Sequence, residues 1–223
     1  MSIIYLPYGT IIILKLKYQA AMNTTVLKRP RGRPSNFDHE EALEKALRVF
    51  WSHGYEGTSM SELTETLGIN KPSIYAAFGN KEELFRKALT RYVTGPAAFV
   101  TEAMKQPTAR QAVEEFLLQA VGFFSDPSTP NGCMIVQAAL TGGQGSSVIQ
   151  QELIAYRKNF EASFNERFEL AQAQGDLPQH VNTKQLAKYI ATIHQGMSVQ
   201  ATSGATREEL QAIVEMAMKN WPS

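Results

Sequence analysis

From residue 38 onward, apolar side chains return every three or four positions, and no stretch alternates with the period of two that a half-buried strand requires. Leu43, Ala46, Leu47 and Phe50 mark one such face, Met60, Leu63 and Leu67 a second, and Leu84, Phe85, Ala88, Leu89 and Tyr92 a third. Capping residues mark the boundaries. Asp38 followed by Glu41 can satisfy the free backbone donors of a helix start, and Gly54 can supply a left-handed stop. Ser59 and Glu62 have capping-box spacing for a second helix starting near Thr58, and Gly68 turns the chain after it. Asn70 can cap a third, short helix whose Pro72 falls in the tolerated first turn; Asn80 and Glu83 cap a fourth. Gly95-Pro96 should kink or break that helix, with a continuation through Phe99 and Met104 that ends at Gln106-Pro107.

Further helices are expected at about 108–125, 132–140, 147–174, 183–202 and 206–220, with DPSTPNG and TGGQGSS as the loops between the first three. The pattern predicts an all-α protein of about nine helices. Three short ones come first and a larger helical body follows, with the boundary inside the fourth. The division is an N-terminal extension 1–37, a compact helical domain 38–84 and a helical body 85–223.

Composition changes this picture little. The chain has 223 residues and a formal net charge of +1, so it is not a globally basic nucleic-acid binder. The distribution says more: Lys28, Arg29, Arg31 and Arg33 fall within KRPRGRP with no acid among them. The single cysteine, Cys133, excludes an intramolecular disulfide and a multi-cysteine metal site, and suits a reducing cytoplasm. The apolar run IIYLPYGTIIILKLKY is broken by Pro7 and Gly9, is too short to span a bilayer, and carries its lysines after the apolar part rather than before it. It reads either as lying upstream of a natural start at Met22 or as an N-terminal extension, not as a membrane anchor.

Two short helices joined by a glycine turn are a helix-turn-helix pattern, whose second helix enters the DNA major groove. A groove about 12 Å wide admits one helix, and only its first turns reach base edges. In GINKPSIYAAFGNKEELF, Ile69, Ile74 and Phe78 should face inward. Lys71, Ser73 and Ala76 should face out: Lys71 toward a phosphate or a guanine edge, Ser73 as donor or acceptor, Ala76 toward a thymine methyl group. Tyr75 and Thr58 can offer hydroxyls to phosphates, and Lys81 adds charge to a helix start that favours anions. Tyr75 can equally be a core aromatic, and Lys81 a solvated surface lysine. Arg29, Arg31 and Arg33 form an arm that resembles an AT-hook core, suited to a narrow A·T-rich minor groove, or else a basic tail adding non-specific affinity.

These residues resemble the TetR/AcrR-type family of bacterial transcriptional regulators. The match runs from about Asp38 to Leu89 and is carried by the Gly54-Tyr55 turn, Thr58, and Gly68, Tyr75, Phe78, Lys81 and Glu82 in LGINKPSIYAAFGNKEELF. Pro72 stands where the family often has glycine, and Ala77 where it often has histidine. The resemblance implies an N-terminal three-helix DNA-binding domain, and then a helical domain that binds a small-molecule effector and dimerises on a palindromic operator. It implies a dimer built on two apolar stripes, Leu186, Ile190, Ile193 and Met197 with Leu210, Ile213, Val214 and Ala217; closure of the monomer core is the other reading of both. It also implies an effector pocket among the middle helices, for which Tyr92, Phe99, Phe123, Cys133, Gln137, Tyr156, Phe160 and His194 are the candidates. Gln137 and His194 would be its polar groups. Cys133 follows Asn131-Gly132 at a helix start, where a thiolate is favoured, so it is either a sensor of oxidants and electrophiles or an apolar filler.

The expected function is sequence-specific regulation of transcription, as a repressor released by its effector. An architectural protein that binds A·T tracts without an effector is the alternative. An enzyme would need a nucleophile elbow, a metal-ligand cluster or a phosphate-binding glycine loop; the sequence has none, and it implies no metal and no cofactor.

Overall fold

The computed structural model describes residues 37–140 and 148–222. The candidate start at Met22, the arm with Arg29, Arg31 and Arg33, and the loop TGGQGSS lie outside them. Among the described residues there are ten α-helices and no strand: α1 (His39–Gly57), α2 (Met60–Leu67), α3 (Lys71–Phe78), α4 (Lys81–Thr94), α5 (Phe99–Ala103), α6 (Ala109–Phe124), α7 (Met134–Leu140), α8 (Val148–Ala173), α9 (Thr183–Thr202) and α10 (Arg207–Lys219). None of them is long and apolar enough to cross a membrane.

Each of the first four starts falls where a polar side chain can take up orphan backbone donors. Asp38 Oδ1 accepts from the amide of Glu40 at 2.8 Å. Ser59 and Glu62 form a reciprocal capping box, as do Asn80 and Glu83, and Asn70 Oδ1 accepts from Ser73 N at 2.9 Å. Gly54 does not end α1: its backbone leaves helical geometry, and one more turn follows to Gly57. The fourth helix breaks at Gly95-Pro96, as the sequence leads one to expect. It stops at Thr94, a 3₁₀ turn Pro96–Ala98 follows, and α5 is a separate short helix, one more than the sequence pattern implies. Proline at the first turn position cannot donate the amide that a continuous α-helix would need.

Helices α1–α4 close over Leu47, Phe50, Leu63, Ile74, Leu84 and Phe85, all fully buried. The body is built on α6, α8, α9 and α10 around Phe116, Phe124, Phe164 and Phe168. One apolar cluster runs through both parts, because α1 and α4 pack on α7 and α6 through Trp51 and Tyr92.

The two stripes expected to pair subunits are turned inward instead. Leu186, Ile190, Met197, Leu210, Val214 and Ala217 are buried within the one chain, and Ile193 and Ile213 are partly buried against the same core. Helix α9 buries Leu186, Ile190, His194, Met197 and Ala201 on one face. Its opposite face presents Tyr189, Thr192, Gly196 and Val199, and α10 adds Ala212 and Met216, the latter 61% exposed. Both helices therefore have two usable faces, and the more apolar one is needed to close the monomer.

Candidate nucleic-acid interface and aromatic core

Helix α3 is eight residues long and is held from behind. Ile74 and Phe78 are buried on the side where α3 packs on α2 and α4, Phe78 also meets the His39 ring of α1 at 5.6 Å, and Ile69 is packed against the same core. Its entry is a glycine turn: Gly68 has φ 69°, a left-handed geometry that glycine adopts without Cβ strain. Its exit is held by Lys87, whose ammonium donates to the carbonyl of Phe78 at 2.8 Å. Sequence reasoning missed Lys87, because a contact nine residues away across a helix break has no periodic signature. His53 on α1 and Glu62 on α2, 2.6 Å apart, brace the same unit and were missed for the same reason.

The outward face carries the expected residues. Lys71, Tyr75 and Ala76 are exposed, Ser73 is half-buried, and Lys71 Nζ lies 5.9 Å from the Tyr75 ring centroid. Tyr75, 43% exposed, is not a core aromatic. Thr58 is a correction. Its side chain is 1% exposed and its hydroxyl donates to the carbonyl of Gly54 at 2.7 Å, so it holds the α1–α2 turn and has no hydroxyl left to offer a phosphate. Lys81 lies over the Tyr55 ring at 4.3 Å, and partial burial holds its amine below the ordinary lysine value, with Glu56 pulling the other way. Phe37 stacks on His39 at 4.8 Å and lies 6.3 Å from Phe78, so the described chain begins beside the end of α3.

The body gathers most of the candidate pocket residues into one chain of rings. Trp51 meets Tyr92 at 4.9 Å and Phe123 at 5.2 Å, and Phe123 meets Phe99 at 5.3 Å. Phe116 links Phe99, Phe160 and His194. Tyr156 packs against the same core, partly open like Phe99, Phe123 and Phe160. His194 is enclosed by Phe116, Phe124 and Phe160 with centroids 5.1–5.3 Å away, and burial lowers its pKa to about 4, so the imidazole is neutral at physiological pH. Gln137 departs from expectation: its amide is directed to α9, 3.4 Å from both the carbonyl of Ser198 and the hydroxyl of Thr202.

Cys133 is placed as its apolar-filler reading expects. The thiol is buried, and desolvation pushes it up, outweighing the hydrogen bond from Tyr92 and the pull of Arg157. Its helix start does not make it a ready thiolate. The turn before it is a junction instead: Cys133 N donates to Ser198 Oγ at 2.8 Å, Met134 N donates to Tyr92 Oη at 3.3 Å, and Trp51 Nε1 donates to the carbonyl of Gly132 at 2.9 Å. Gly132 has φ 77°, and a Cβ there would lie 2.7 Å from the carbonyl of Ser198.

Among the described residues no group of acids, histidines and cysteine could hold a metal ion. The family model described as bacterial regulatory proteins, tetR family, matches residues 42–88, and that of the tetracyclin repressor-like C-terminal domain matches residues 109–217. The chain is 34% identical over 205 residues to the HTH-type transcriptional repressor ComR of Escherichia coli (strain K12), covering 91% of this chain and 98% of that protein. It is 30% identical over 197 residues to the repressor BdcR of the same organism, covering 88% and 95%. Among solved structures, a cysteine-substituted TetR family regulator CifR in complex with 26-base-pair operator DNA superposes with a TM-score of 0.81 at 42% identity, covering 85% of this chain and all of that one. The chain belongs to the tetR family of bacterial regulatory proteins and is a DNA-binding transcriptional regulator.

Proposed function

We propose that the protein is a cytoplasmic repressor that binds a palindromic operator as a homodimer and leaves it when a small effector occupies the aromatic core. The observation that carries this reading is the division of α3: Ile74 and Phe78 lock it to the head, while Lys71, Tyr75 and Ala76 stay exposed. Lys71 and Tyr75 then grip phosphates and Ser73 and Ala76 read base edges. Lys81 adds charge at the start of α4, and Arg29, Arg31 and Arg33 extend the contact into the neighbouring minor groove. The two heads must lie about 34 Å apart, or a multiple of it, to meet one face of the duplex.

The outer faces of α9 and α10, through Tyr189, Gly196, Val199 and Met216, supply the subunit contact, in place of the stripes that close the monomer. The effector is held among Tyr92, Phe99, Phe123, Tyr156, Phe160 and His194, and favours one spacing of the heads over the other. Selection of binding sites from random duplexes, followed by footprinting, tests the reading. A compact two-fold site supports it; broad protection of A·T tracts would favour the architectural alternative.

A further inference from the structure

Beside the aromatic core, α8 carries a half-buried arginine, one nitrogen of which no described residue answers. Arg157 lies on α8 in line with the buried residues Leu153 and Phe164, next to Tyr156 and one turn before Phe160. Its Nη1 is enclosed and has no hydrogen-bond acceptor, and its guanidinium forms no ion pair with any described residue. The residues outside the described ones, 1–36, 141–147 and 223, contain no aspartate or glutamate side chain. Of the other inward or bridging arginines, Arg86 and Arg91 are paired with carboxylates, while Arg167 uses one nitrogen on carbonyls and keeps its enclosed Nη1 without an acceptor among the described residues. Arg167 donates to the carbonyls of Gln106 and Pro107 at 3.1 and 3.2 Å, Arg86 meets Glu152 at 2.8 Å, and Arg91 meets Glu44 at 2.7 Å.

A guanidinium nitrogen taken from water is costly unless a carboxylate, phosphate or carbonyl answers it. Arg157 also faces the right surroundings for a ligand. It acts electrostatically on Cys133, across from α8 at the start of α7, and its helix neighbours Tyr156 and Phe160 are partly open, as are Phe99 and Phe123. His194 is neutral there, so it offers a hydrogen bond without competing for an anion. One planar fork matches one carboxylate; a dianionic phosphate would call for a second cation, and Arg167, ten residues along the same helix, is about 15 Å away.

We propose that the effector is an organic carboxylate with an apolar body, its charged group paired with Arg157 and its body lying among Phe99, Phe123, Tyr156 and Phe160. This rests on the reading of the aromatic core as the effector site.

The test uses the full chain and three sodium carboxylates, benzoate, 4-phenylbutyrate and octanoate, each beside its primary amide at constant ionic strength. Melting temperature and operator binding are followed for wild type, Arg157→Met and Arg157→Lys. At about one hundred times its Kd, a fitting acid should raise the wild-type Tm by roughly 5–10 °C and release the operator. Its amide should do neither. Arg157→Met should melt at or above the wild-type temperature and lose the response to the acid, while Arg157→Lys keeps part of it. Amides that match their acids, or an Arg157→Met protein that responds like wild type, would overturn the carboxylate and leave the aromatic site standing. An Arg157→Met protein that becomes monomeric would overturn it too, because the partner subunit would then be what answers the charge. A flat response to all six compounds would count against both the carboxylate and the aromatic core as effector site.

Discussion

The indole N–H of Trp51 donates to the carbonyl of Gly132 across 2.9 Å, and this bond joins the DNA-reading head to the turn that begins α7. Trp51 is on α1, which packs on α2 and α4, the two helices that hold the reading helix, and its ring also packs on Tyr92 and Phe123. Any shift of the 131–134 turn, which also bonds α4 and α9, must move α1 or break this contact.

Trp51→Phe removes the donor and shortens a buried ring, so the hydrogen-bond cost is a minimum to which a small cavity adds. That minimum is about 1–2 kcal/mol, the loss of one buried hydrogen bond and an unsatisfied carbonyl. For a chain of this size that lowers Tm by about 2–8 °C. Base preference in a site-selection experiment should be unchanged, because no groove-facing group is touched. A variant as stable as wild type would show that the bond does not join the two parts.

The helices and the outward and inward faces of α3 were largely legible in the sequence, because caps and three-four spacing are local signals. Asp38, Ser59, Asn70 and Asn80 mark starts that the structure has within one residue. The burial of Ile74 and Phe78 and the exposure of Lys71 follow from the same period. What failed was long-range. Thr58 has a hydroxyl and a helix start beside it, but whether it turns out or in depends on the kink at Gly54. Leu186 and Leu210 lie on apolar stripes, yet periodicity says only that a face is covered, not whether by its own chain or by another. Cys133 follows a favourable local rule that burial overrides.

His194 should make stability depend on pH. Its folded pKa of about 4 lies below the ordinary 6.5, so between those values the unfolded chain binds more protons than the folded one. Stability therefore falls as pH drops through that window and is constant, for this group, above and below it. The gap of about 2.5 pH units is worth up to about 3 kcal/mol at ~1.36 kcal/mol per unit. Denaturant melts at pH 7 and pH 4.5 should show a smaller pH difference for His194→Leu than for wild type. Equal differences would mean that the imidazole is hydrated in the folded protein.

Contacts to phosphate and contacts to bases should separate on α3. Tyr75→Phe removes a hydroxyl that is exposed but carries no base information, so all duplexes should weaken alike. Ala76→Ser adds a donor where a methyl contact is expected, and should change preference at one base pair per half-site by about 1–3 kcal/mol. Binding measured against single-base operator variants decides between the two patterns. If Tyr75→Phe reorders the base preference, the tyrosine reads a base edge.

Gly196 distinguishes the outer face of α9 from the inner one. A Cβ at Gly196 meets no atom within 4 Å, so a side chain there is accommodated by the monomer. Replacing a mid-helix glycine should even favour the isolated helix by about 0.5–1 kcal/mol. In a dimer joined through Tyr189, Thr192, Gly196 and Val199, the same position is where two helices approach, and a long charged side chain has no room. Gly196→Arg should therefore leave helix content by circular dichroism intact, shift the protein to monomer in sedimentation, and lose the palindrome while keeping weak half-site binding. Leu186→Arg, on the buried face, should instead unfold the chain, because it drives an unpaired charge into the core. A Gly196→Arg protein that stays dimeric would move the subunit contact to another surface.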